Sequence, residues 1–133
     1  MADYTFKRFD EMEPIFGGAF LRTRAELGVT SFGMQVMNFP PNFGEAYPNH
    51  NHAESGQEEV YLVLEGAADV DIEGESVHLE PKTALRVGAD TRRKISTGAE
   101  GVQILALGGV PGAAYEAPEF TQLGGPEPGP PSS

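Results

Sequence analysis

The middle of this 133-residue chain is cut into short apolar runs by glycine and proline. Turn signals fall at "PPN" (40–42), "EG" (65–66 and again 73–74), "EPK" (80–82), "GAD" (88–90) and "TGAEG" (97–101). Between them lie "FGMQVMNF", "EVYLVLE", "ADVDI", "SVHL", "ALRV", "RKIS" and "VQILAL". Such runs, with turns at roughly eight- to twelve-residue spacing, predict an all-β sandwich or barrel. No stretch of this region sustains a helical period. Near the start, Asp10 is placed to cap a brief turn through Glu11, Met12 and Glu13, which Pro14 ends.

The two ends differ from the middle. Residues 1–14 form a lead, 15–110 the barrel, and 111–133 a tail that holds six of the eleven prolines and finishes "GGPEPGPPSS". A tail of that composition buries too little apolar area to offset its ordering entropy, so its last residues are expected to be mobile. The stretch "YEAPEF", with Tyr115 and Phe120, is expected to lie against the barrel.

With no cysteine, disulfides and thiolate metal sites are excluded, and any metal must be held by His, Asp, Glu, Asn or Gln. A net charge of −11 argues against nucleic acid or an anionic membrane as partner. The cluster "RRK" at 92–94 lacks the interleaved aromatics of a nucleic-acid patch. "MADYTFKRFDEM" does not read as a secretory signal, and "VQILALGGVPGAA" is too broken to span a bilayer. The expectation is a cytoplasmic protein of one domain.

Two of the three histidines, His50 and His52, stand one residue apart in "YPNHNHAESGQEEVYLVLEG". In a strand, side chains two apart share a face. Ser55-Gly56 then offers a turn, and a hairpin would return Glu59 to the neighbourhood of His52. Two imidazoles and a carboxylate on a rigid sheet form the facial triad that suits Fe(II); Zn, Mn, Ni and Cu accept the same donors. Against this stands the plain alternative that histidines in a proline-rich loop are solvated polar residues. His78, between Val77 and Leu79, is expected to face out and receives no role.

The stretch resembles the first motif of the cupins, G-x5-H-x-H-x3,4-E-x6-G. Gly44 is followed by five residues and then His50; His52 completes H-x-H; Glu59 is followed by six residues and then Gly66. The resemblance implies a jelly-roll barrel, often dimeric, with metal ligands projecting into a central pocket. One spacing departs: six residues separate His52 from Glu59, which leaves Glu54 or Gln57 as rivals for the third ligand.

The second cupin motif, G-x5-P-x-G-x2-H-x3-N, falls best on "KTALRVGADTRRKIST". There Lys82, Gly88, Asp90, Arg93 and Thr97 replace every defining residue, with Arg93 at the histidine. Independently of the family, Ile95 should face the core and Arg93 shares its face, leaving Arg92 and Lys94 to solvent. An inward cation needs a partner.

Two readings follow. In one, His50, His52 and Glu59 hold a divalent metal while Arg93 contacts an anionic ligand, and the protein is an oxygenase or isomerase acting on a small organic acid. In the other, Arg93 replaces the metal and pairs with Glu59, and the barrel is a metal-free small-molecule binder or sensor. Gln35, which shares a face with Met37 and Phe39, and Tyr61 join Arg93 as candidate ligand contacts. A third reading, an oligomerisation module, needs Tyr61 and Met37 to fill the pocket. "EVYLVLE" is apolar on both faces, so its outer face needs a cover: the segment "AFLRTRAELGV", or the second subunit of a homodimer.

Overall fold

The structure, a computed structural model, describes residues 2–44, 50 and 52–128. The final residues 129–133, expected to be mobile, lie outside the described residues, as does most of the loop that leads to His50.

Among the described residues nine strands follow in order: β1 (Pro14–Ile15), β2 (Phe20–Leu21), β3 (Gly33–Phe39), β4 (Glu58–Gly66), β5 (Ala68–Ile72), β6 (Glu75–Leu79), β7 (Ala84–Val87), β8 (Arg93–Ser96) and β9 (Val102–Gly109), with a short helix α1 (Thr23–Leu27) between β2 and β3. They form two antiparallel sheets, of order β1-β2-β3-β9-β4-β7 and β6-β5-β8. The apolar runs of the sequence are these strands, and the glycine–proline breaks are their turns. Among the described residues no helix is long and apolar enough to cross a membrane.

Alternation builds the core. Tyr61 and Val63 of β4, Val70 of β5, Ile95 of β8 and Ile104 of β9 point between the sheets and are buried. Fully burying one such aliphatic side chain contributes roughly 1.5–3 kcal/mol, so this set outweighs any single polar contact in the fold. The outer face of β3 and β9 is covered from within the chain: Met12, Leu21 and Leu27 pack on Val36 and Leu105. Leu64 and Phe32 remain exposed.

Gly66, the last glycine of the first motif, has φ +75, and a Cβ there would come within 2.0 Å of the Gly101 carbonyl oxygen. Close backbone approach between the end of β4 and the start of β9 therefore demands glycine. A register shift between Val63 and Glu65 prepares the same bend.

The brief N-terminal turn differs from expectation. It spans Phe9–Glu11, so Asp10 lies inside it and Arg8 precedes it without a side-chain cap. Asp10 instead accepts from the Arg8 guanidinium at 3.2 Å, an ion pair that competes with capping.

The tail is tied down as far as Glu127, whose carboxylate accepts from the Phe16 amide. Arg22, 3% exposed, donates from Nε to the Phe120 carbonyl (2.8 Å) and from Nη2 to the Gly125 carbonyl (2.7 Å), and its Nη1 meets Glu13 Oε1 at 2.5 Å. Glu13 in turn accepts from the Gly124 amide at 3.1 Å. One buried guanidinium thus joins the lead, the β2–α1 junction and the tail.

Candidate metal centre

The segment carrying the histidines does not pair with the strand carrying Glu59. His50 forms an isolated antiparallel bridge with Arg93: its amide donates to the Arg93 carbonyl at 3.0 Å, and the Arg93 amide returns a bond of 2.8 Å. The His52 amide donates to Ala89 at 2.8 Å. The reason lies in the topology: β4 has β9 on one side and β7 on the other, so neither edge is open to a hairpin partner. The histidines reach Glu59 from across the barrel mouth.

The extra residues between His52 and Glu59 are absorbed in a turn. The Gly56 amide and the Ser55 hydroxyl both donate to the His52 carbonyl, at 2.8 and 3.2 Å. Strand register then resumes with Glu58 outward, bonded to Arg86 at 2.8 Å, and Glu59 inward.

His50, His52 and Glu59 converge: one donor atom from each lies within 4.8 Å of the others. The imidazoles stand nearly perpendicular, with centroids 5.0 Å apart and an angle of 80°. His52 Nε2 is 2.7 Å from Glu59 Oε1. Two imidazoles and a carboxylate, held from two walls of a barrel, are a donor set that suits a divalent metal. Glu54, the rival carboxylate, is exposed at the cavity rim outside this trio.

The surroundings of Glu59 are unusually rich in donors. Its Oε1 receives the Tyr61 hydroxyl (2.7 Å) and Arg93 Nη1 (3.1 Å) besides the contact with His52. Its Oε2 makes no hydrogen bond among the described residues. Burial alone would raise its pKa, but the bonds from His52 and Tyr61 and the Arg93 charge outweigh that and hold it below the ordinary carboxylate value. Glu59 is therefore an anion at neutral pH, with one oxygen saturated and the other open.

Arg93 is buried beside Ile95, as the alternation of β8 requires. Its Nη2 donates to the Gly88 carbonyl at 2.7 Å, and its Nε is buried without a partner among the described residues. It does not line the adjoining cavity; its Nη1 meets Glu59 Oε1 at 3.1 Å. Tyr61 is likewise buried, with its hydroxyl turned to Glu59. Gln35 does line the cavity.

That cavity, of about 400 Å³, opens from His52 and Glu59 toward Gln35, Arg24, Tyr115 and Phe120. Met37 and Tyr61 are both buried, yet they leave it open. Nothing local in the sequence marks Arg24, and Tyr115 is expected there only to lie against the barrel, not to line a site; both line this cavity because α1 and the tail close over β3. His78 lies on the outer surface, bonded to Asp69 at 2.8 Å.

No protein-family model matches the sequence, and no curated protein matches it. Solved structures do. A cupin protein of Bacteroides fragilis superposes with a TM-score of 0.65 at 22% identity, covering 91% of this chain and 95% of its own. A sugar phosphate isomerase from a cupin superfamily, of Silicibacter pomeroyi, gives 0.63 at 16% identity over 79% of this chain and 75% of its own. The cupin_2 domain of an XRE-family transcriptional regulator of Enterobacter cloacae gives 0.54 at 21% identity, over 63% and 86%. The fold is the cupin jelly roll.

Proposed function

We propose that this cupin barrel is a metal-dependent enzyme acting on a small molecule, with His50, His52 and Glu59 as its metal ligands. The observation that carries this reading is the convergence of the three donors beside an open cavity of about 400 Å³. When bound, a divalent ion held by two imidazoles and one carboxylate polarises a substrate oxygen or activates dioxygen. The chain's own groups do the rest. Arg93 and Tyr61 hold Glu59 ionised and fix its rotamer, while the apolar walls given by Met34, Ala106 and Phe120 exclude water around the substrate.

Between oxygenation and isomerisation we favour isomerisation. A sugar phosphate isomerase is among the matching structures, and the cavity rim carries the Glu54 carboxylate as a group able to hold or move a proton. A homodimer, as expected from the sequence, would cover the shallow outer face lined by Phe32, Val60 and Leu107.

The metal-free reading keeps one observation of its own, the Arg93–Glu59 ion pair at 3.1 Å. Elemental analysis of untagged protein, as purified and after loading with Fe(II), Mn(II), Zn(II), Ni(II) or Cu(II), separates the two. Near one ion per chain, lost in His50→Ala and in His52→Ala, is the expected result. Protein that takes up none of these ions would leave the barrel a metal-free binder.

A further inference from the structure

We propose that Arg24 and Tyr115 form a carboxylate-binding subsite on the wall of this cavity, and that the substrate is a small organic acid. The proposal rests on the metal reading only for the opposite end of that molecule.

Arg8, Arg22, Arg86 and Arg93 each face a carboxylate within 4.0 Å. Arg24 has none among the described residues, in a chain with twenty acidic side chains against nine basic ones. Its Nη1 donates to the Val29 carbonyl at 2.8 Å, and its Nε is buried without a partner. A guanidinium on a cavity wall with no carboxylate partner of its own can offer its fork of N–H groups to an anionic group of a ligand. Arg22, two residues earlier, shows the alternative: there the same group is fully engaged inside the protein.

Tyr115 approaches from the tail. Its ring packs over Gly33, so closely that a Cβ on that glycine would stand 2.9 Å from the phenol oxygen. The hydroxyl has no hydrogen-bond partner among the described residues. Burial and the nearby Glu59 charge raise its pKa, against the opposing effect of Arg24, so it remains a donor at neutral pH. A fork of N–H groups and a phenol on one wall suit a single carboxylate. At about 400 Å³ the space is near the lower end of the usual range for ligand cavities, which suits a small organic acid.

The test is calorimetric titration of malonate, succinate, glutarate and inorganic phosphate into metal-free and Zn(II)-loaded protein. At least one diacid should bind. Arg24→Gln should weaken that binding tenfold or more and Tyr115→Phe severalfold, with Zn(II) affinity unchanged in both. Arg24→Lys, which keeps the charge but not the fork, should fall between, and thermal melts identify any variant that has merely unfolded. Diacid binding that ignores both Arg24→Gln and Tyr115→Phe, no diacid binding at all, or a preference for phosphate would overturn the proposal. Arg24-dependent binding to protein that takes up no metal would uphold the subsite and sink the metal reading; normal metal uptake with Arg24-independent binding would do the reverse.

Discussion

Arg93 and Glu59, 34 residues apart in the chain, meet inside the barrel with Nη1 3.1 Å from Oε1. The arginine is fully buried and the carboxylate nearly so. Removing one member of such a pair leaves the other charge in low dielectric, which costs about 3–5 kcal/mol. Arg93→Ala is therefore expected to lose that much in denaturant unfolding of metal-free protein. Arg93→Lys recovers little, because an ammonium cannot serve Glu59 and the Gly88 carbonyl as a fork does. If loaded protein is the native form, metal should restore part of the loss in Arg93→Ala, since an ion also neutralises Glu59; a variant as stable as the parent would refute the buried pair.

Gly66 closes the first motif for a steric reason, and Gly66→Ala tests it. A left-handed residue with a Cβ costs roughly 1–2 kcal/mol, and here that Cβ also meets the Gly101 carbonyl at 2.0 Å. The expected destabilisation exceeds roughly 2 kcal/mol. Gly74→Ala, whose Cβ meets nothing although its φ is +96, should cost less. Equal losses at the two positions would contradict the close approach of β4 and β9.

Arg22→Ala should release the tail. The substitution strands Glu13 and frees the Phe120 and Gly125 carbonyls, at a cost of about 2–4 kcal/mol. Because Phe120 and Tyr115 form part of the cavity wall, limited proteolysis should cut the variant between residues 111 and 128 well before the parent. An unchanged digestion pattern would show that other contacts hold the tail.

His78 supplies a pH signature. Its hydrogen bond to Asp69, helped by the charges of Asp69 and Glu80, raises its pKa above 6.5. A group raised on folding stabilises the fold fully below its unfolded value near 6.5, and that contribution fades as pH climbs through the raised value. NMR titration should place the His78 midpoint above 6.5, with Asp69→Asn returning it toward that value. A midpoint at or below 6.5 in the parent protein would remove the pair from solution.

Much of the site was legible from strand periodicity and motif spacing. Ile95 placed Arg93 inward because a two-residue repeat leaves no freedom once one member of the face is known. The spacing through His50, His52, Glu59 and Gly66 carried the barrel even though no defining residue of the second motif survives. The hairpin expectation failed for a non-local reason: β4 already had two neighbours, a fact written nowhere near residues 50–59.

Sequence alone determined the short-range part of this protein: the alternating strands, the glycine–proline turns between them, the pairing demand of an inward arginine. These follow from backbone geometry and the cost of an unpaired charge, which act within a few residues or on a single face. Tertiary structure decided that His50 docks beside β8, that Glu59 pairs with Arg93, and that Arg24 and Tyr115 share one cavity wall with His52 and Glu59. Those outcomes depend on which distant segments share a wall of the barrel, and that is settled by packing the whole chain at once.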